Sequence, residues 1–180
     1  MTVSEVRSYT VTQPTVFDPT TFHITPSGHS APLYTLDRHT RLLSTKPHLI
    51  IRTSSTGAAF PALPLASVRH CSSGNLTLTH NASEFKLESQ SHGSWTLFRD
   101  DAGYRVSPSA GRNLLLLRQR EDTVEELVAS WKSRWEVSGD MNRIGRVEVI
   151  ADGDKELAEW ALMVLVGCAE KEMRRAQGGI

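Results

Sequence analysis

The chain has 180 residues, the length of one ordinary domain and too short for two comfortable ones. Twenty Lys and Arg balance twenty Asp and Glu, which excludes holding nucleic acid or anionic membrane by bulk charge but permits a local patch. A hydrophobic share of 39% excludes a disordered chain, and two cysteines, Cys71 and Cys168, are too few for a disulfide framework and read as reduced thiols.

In chain order, the start from Met1 to Arg7 lacks the apolar core of a signal peptide, so a cytoplasmic protein is expected. Residues 1–19 carry Pro14 and Pro19 with little apolar periodicity, and read as an N-terminal arm, laid on the surface or flexible. Short β-like runs follow at 33–36, 48–53, 65–70, 76–79, 85–88, 95–99 and 104–106, most of them bounded by Gly, Pro, Ser or Asp turns. Residues 114–117 are all leucine and read as a strand buried on both faces. Asp122-Thr123 followed by Glu126 has capping-box spacing, and Val124, Leu127, Val128 and Trp131 recur at i, i+3, i+4 and i+7, which predicts an amphipathic surface helix. Further strands are predicted at 135–137 and 144–149. Strands this frequent indicate an antiparallel sandwich or barrel.

The final segment, about 154–176, predicts a helix of a different kind. Glu156 and Glu159 stand in its first turns, and Lys171, Arg174 and Arg175 in its last, both favoured by the helix dipole. Between them, Trp160 to Ala169 is ten residues without a charge, apolar on every face. Such a helix must be surrounded. Ten residues rise only about 15 Å, roughly half a bilayer core, so burial inside the sheet is preferred to a transmembrane span. The predicted fold is mainly β: a closed antiparallel barrel of roughly 10–12 short strands around a hydrophobic C-terminal helix. One domain over residues 20–176 is expected, with 177–180 as a tail.

Two stretches carry a family resemblance. Residues 144–150, Ile-Gly-Arg-Val-Glu-Val-Ile, lead into 156–165, Glu-Leu-Ala-Glu-Trp-Ala-Leu-Met-Val-Leu, and Pro32-Leu33-Tyr34-Thr35-Leu36 is a secondary match. Together they resemble the tubby C-terminal-like superfamily, which includes tubby proteins, phospholipid scramblases and LURP-one-related proteins, and they look most like its uncharacterised fungal branch. The resemblance implies a β-barrel around a central C-terminal helix. It also implies a non-enzymatic role, with phosphoinositide or other phospholipid headgroups bound by basic side chains on the barrel exterior. The calcium segment and terminal membrane anchor of scramblases have no counterpart here, so scramblase activity is not carried over.

Two local groups could meet a phosphate. One is Arg118 and Arg120, immediately followed by Glu121 and Asp122; the other is Arg38, Arg41 and Lys46, with His39 and His48 nearby. Six of the seven histidines lie in the first half and the seventh is His92, and no two are separated by two or four positions. Surface histidines are therefore expected rather than a metal site. Asp152-Gly153-Asp154 resembles the start of a calcium loop, but position twelve of that loop would be Met163, so a helix N-cap is the better reading. Nucleophile-elbow, phosphate-loop and zinc-protease motifs are all missing. The sequence thus points to a cofactor-free binding or scaffold domain, cytoplasmic or peripheral at a membrane, with a phospholipid or a protein as partner and no nucleic acid. The competing readings are a small enzyme whose loop-borne site has no motif, and a module that only binds other proteins.

Overall fold

Strands dominate because apolar residues alternate with hydroxyl-bearing or charged ones between turn residues, and that period suits a pleated, half-buried surface. The computed structural model describes residues 5–15, 17–39, 47–54, 64–71, 73–120, 124–138, 141–151 and 154–176. The first strands are β1 (Glu5–Gln13), β2 (Thr21–Pro26), β3 (Tyr34–Arg38) and β4 (Leu49–Thr53). Next come β5 (Ala66–His70), β6 (Leu76–His80), β7 (Ser83–Ser89) and β8 (Trp95–Arg99). The series ends with β9 (Ala102–Ser109), β10 (Asn113–Arg120), β11 (Val124–Ser138) and β12 (Met141–Ala151), before helix α1 (Lys155–Ala176). Each strand pairs antiparallel with its neighbours in sequence, and β1 pairs with β12 to close a twelve-strand barrel.

The helix occupies the lumen. Every residue from Trp160 to Glu170 is buried, around the full circumference of α1. Trp160 meets the rings of Phe85 on β7 and Tyr104 on β9 edge-on, at centroid distances of 5.7 and 4.8 Å. On another side, Gly167 lets the helix approach β5 so closely that a Cβ there would stand 3.0 Å from Val68 Cγ2. Leu76, Leu78, Trp95, Leu97, Leu114 and Leu116 supply further inward apolar surface from the wall. A hollow barrel of this size would leave these faces wet, and the uncharged run of α1 fills that space. The helix starts where expected, because Asp154 Oδ1 accepts the amide N–H of Leu157 at 2.9 Å as an N-cap.

Three expectations need correction. Within the expected surface arm over residues 1–19, Glu5–Gln13 is instead the strand that closes the barrel. Its inward positions are only Tyr9, Val11 and Gln13, and its partner lies at the far end of the chain, with Tyr9 opposite Val147. The amphipathic helix predicted from residue 123 onward is instead part of strand β11, and its proposed cap at Asp122-Thr123 lies outside the described residues. Leu116 pairs with Ala129 and Leu117 with Leu127, so Val128 is an extra residue in a β-bulge. The bulge breaks the alternation, leaving Val128 and Ala129 both buried while Leu127 is exposed, and the resulting spacing of apolar residues mimics a helical stripe. The third correction concerns 114–117: Leu114 and Leu116 face the core, whereas Leu115 and Leu117 are half-buried on the outer wall.

The direction of α1 defines two mouths. The upper mouth, where α1 begins, is formed by the β8–β9 turn and the ends of β10 and β12. The lower mouth, where α1 ends, is formed by the end of β3, the start of β4 and the β5–β6 and β7–β8 turns. Trp131 closes part of the wall from within, its indole lying where a Cβ on Gly145 would otherwise be. Among the described residues, no helix is long and apolar enough to cross a membrane.

Candidate functional site

Arg118 and Arg120 are alternate residues of β10 and reach the same side at the upper mouth. They line an open groove of about 760 Å³, and the structure brings Asp100 and Asp101 of the β8–β9 turn into that groove with them. Arg120 Nε lies 2.8 Å from Glu126 Oε2, and the Arg118 guanidinium sits 6.0 Å from the centre of the Tyr104 ring. A smaller recess adds Glu126 and the capping Asp154 to the same two arginines. Two strongly exposed apolar side chains stand nearby, Phe98 at 72% and Val124 at 62%. The groove is therefore mixed in charge and flanked by apolar surface.

Just inside the upper mouth, a carboxylate, an imidazole and a phenol meet. The Tyr34 hydroxyl donates to Glu159 Oε1 at 2.7 Å, and His80 Nε2 stands 3.2 Å from Glu159 Oε2. His80 is buried, contrary to the expectation of surface histidines, because it pairs with a helix carboxylate across 79 positions of sequence. Contact with His80, then with Tyr34, holds the Glu159 carboxyl below its ordinary range against the opposing effect of burial. Burial first, then the Glu159 bond, drives the Tyr34 hydroxyl far above the ordinary range. A phenol so hard to ionise is a poor acid or nucleophile at neutral pH. The trio ties the start of α1 to β3 and β6.

The lower mouth is organised around Glu170, whose carboxylate is enclosed near the end of α1. Arg38 of β3 donates from Nε to Glu170 Oε1 at 2.9 Å, and Arg174 Nε pairs with the same oxygen from one turn along the helix. His70 Nε2 lies 3.0 Å from Glu170 Oε2, off the direction of a good hydrogen bond, so this contact is chiefly Coulombic. Two guanidiniums against one carboxylate leave the cluster one charge positive before any contribution from the imidazoles. Arg174 also donates from Nη2 to the backbone carbonyls of His39 and His48, at 2.9 and 3.3 Å. The rings of His48 and His70 stack at 4.6 Å, only 6° from parallel.

The other cations in the last turns of α1 fan out over the lower rim. Lys171 donates from Nζ to the carbonyl of Gly74 in the β5–β6 turn, and Arg175 reaches towards Gly93 in the β7–β8 turn. Arg69 on β5 and Arg112 in the β9–β10 turn add exposed charge, and Arg134 and Arg143 stand towards the same mouth on β11 and β12. In the described turns and helix end here, the acids are Asp18, Glu170 and Glu172. At the upper mouth, the turns and the helix start carry Asp100, Asp101, Asp154, Glu156 and Glu159. Asp37 and Glu88 stand near the lower ends of their strands, and Arg99, Arg118, Arg120 and Lys155 stand at the upper mouth, so zero net charge conceals a partial excess of cations at the lower mouth.

The predicted groups thus fall at opposite mouths. Arg118 and Arg120 come together, but with carboxylates beside them. Arg38 is committed to Glu170, and Arg41 and Lys46 lie outside the described residues. Sequence reasoning missed Arg69, His70, Lys171, Arg174 and Arg175 as companions of Arg38. The signal available was the row of basic residues in the last helical turns, which helix-dipole preference alone explained. Comparison of the chain with protein-family models, curated proteins and solved structures finds no match.

Proposed function

We propose that this protein is a non-catalytic binding domain, tubby-like in type, that docks anionic phospholipid headgroups on the cationic rim of its lower mouth. The excess of cations on the lower rim carries this reading, because it gives a neutral protein one face suited to an anionic surface. Guanidinium and ammonium groups that keep contact with water suit phosphate oxygens, and exposed Arg69 and Arg112 meet that requirement, as does Arg175 beyond its pairing with Glu172 at 3.1 Å. The groove at Arg118 and Arg120 suits an anion less well, since Asp100, Asp101 and Glu126 oppose it. A lumen filled by α1 supports binding on the exterior. The constellation of Tyr34, His80 and Glu159 supports a non-catalytic role, because its members satisfy one another. On this reading the protein is cytoplasmic and peripheral at a membrane surface.

A second reading has one observation in its favour. Exposed Phe98 and Val124 beside a groove of both charge signs suit a protein segment of mixed charge. Co-sedimentation separates the two. The protein is expected to pellet with phosphatidylcholine vesicles doped with phosphatidylserine or phosphoinositide, not with phosphatidylcholine alone, and to be released as salt rises. Failure to pellet with anionic vesicles at low salt overturns the lipid reading.

A further inference from the structure

The imidazole pair at the lower mouth has a geometry that depends on protonation. The backbone N–H of His70 donates to His48 Nδ1 at 3.1 Å, so that nitrogen carries no proton in this arrangement. Adding a proton there turns the acceptor into a donor facing a donor. The ring must then leave the stack and turn towards the rim, carrying a new positive charge. The groups facing His48 among the described residues are His70 and Arg69 from β5, and Glu170 and Arg174 from α1. Arg38 of β3 stands behind them on Glu170. Burial, then the charges of His70 and Arg174, hold His48 below the ordinary imidazole range, so the stacked form prevails at neutral pH.

We infer that the lower rim is a proton-coupled anion site, in which release of His48 from its stack on His70 strengthens headgroup binding as pH falls. This rests on the lipid reading above and adds its regulation. A bound anion favours the protonated ring, and by reciprocity the protonated ring favours the anion. No bond is made or broken beyond transfer of one proton from solvent to Nδ1. The opposing element is Glu170, whose charge is already shared between Arg38 and Arg174.

The test uses the full chain and phosphatidylserine-doped vesicles at about pH 7.5 and about pH 5.5. One proton gained beside the surface strengthens binding by up to about fivefold, so the wild type is expected to bind more tightly at the lower pH. His48→Asn places Oδ1 where Nδ1 stands and keeps the acceptor for His70 without the titration. It is expected to fold and to show a smaller pH step than the wild type, by up to about fivefold. A nitrogen-detected NMR titration of His48 should show its midpoint rising when the vesicles are added. A His48→Asn protein that keeps the whole pH step overturns the coupling alone. Absence of binding at both pH values overturns the lipid reading and this inference with it.

Discussion

Leu162→Asp is expected to abolish folding. Leu162 is wholly buried in α1, within the run from Trp160 to Glu170 that the barrel wall encloses on all sides. A carboxylate placed there would lose its hydration with no cation to replace it, a cost of several kcal/mol even if it takes up a proton. Removal of the leucine side chain adds about 2–5 kcal/mol for lost packing. Together these match the total stability of an ordinary domain, about 5–15 kcal/mol. The expected protein is insoluble, or lacks a cooperative melting transition by circular dichroism. A soluble variant with a sharp transition near the wild type would contradict a helix held in the lumen.

Glu170→Ala comes next in size, with an expected loss of about 3–5 kcal/mol in chemical denaturation. The substitution leaves Arg38 and Arg174, both largely buried, facing one another without their shared carboxylate. Glu170→Gln keeps an acceptor oxygen and is expected to lose less. Burial pushes the Glu170 carboxyl up, but contact with His70 and Arg174 outweighs it and leaves the group below its ordinary value of 4.5. A carboxyl depressed in the folded state stabilises above that ordinary value, and its contribution is lost as pH falls through the folded one. The gap between wild type and Glu170→Ala should therefore be full at neutral pH and narrow in acid below about pH 4.5. A gap under about 1 kcal/mol at neutral pH would show that the cluster does not hold the lower mouth together.

Most of the wall was legible because alternation is a local property. Leu76-Thr77-Leu78-Thr79 announces its strand without reference to any other part of the chain. The helix was legible for a related reason, since ten uncharged residues in a charge-dense half of the chain demand enclosure. β1 and β11 were not, because each depends on distant events. Tyr9 and Val11 become core residues only when β12 arrives beside them, and the extra Val128 acquires meaning only opposite Leu116 and Leu117.

The candidate site was legible to a smaller degree. That Arg118 and Arg120 share a side follows from strand geometry, but Asp100 and Asp101 enter their groove from another hairpin. His48 and His70 stand 22 positions apart and meet only because β4 and β5 pair. Glu170 looks like one more acid in a charged helix tail until the barrel closes over it.

If the lower rim, rather than the upper groove, is the binding face, reversing its charge must weaken binding far more than removing the groove arginines. The most direct test sets Arg69→Glu/Arg175→Glu beside Arg118→Ala/Arg120→Ala in anionic-vesicle co-sedimentation at low salt, with melting curves confirming that both fold. Each basic residue near an anionic surface is worth about 1 kcal/mol, and reversal roughly doubles the loss, so the rim variant should bind at least a hundredfold more weakly. The groove variant should bind as the wild type does. Binding lost in the groove variant and retained in the rim variant would place the binding face at the upper groove instead.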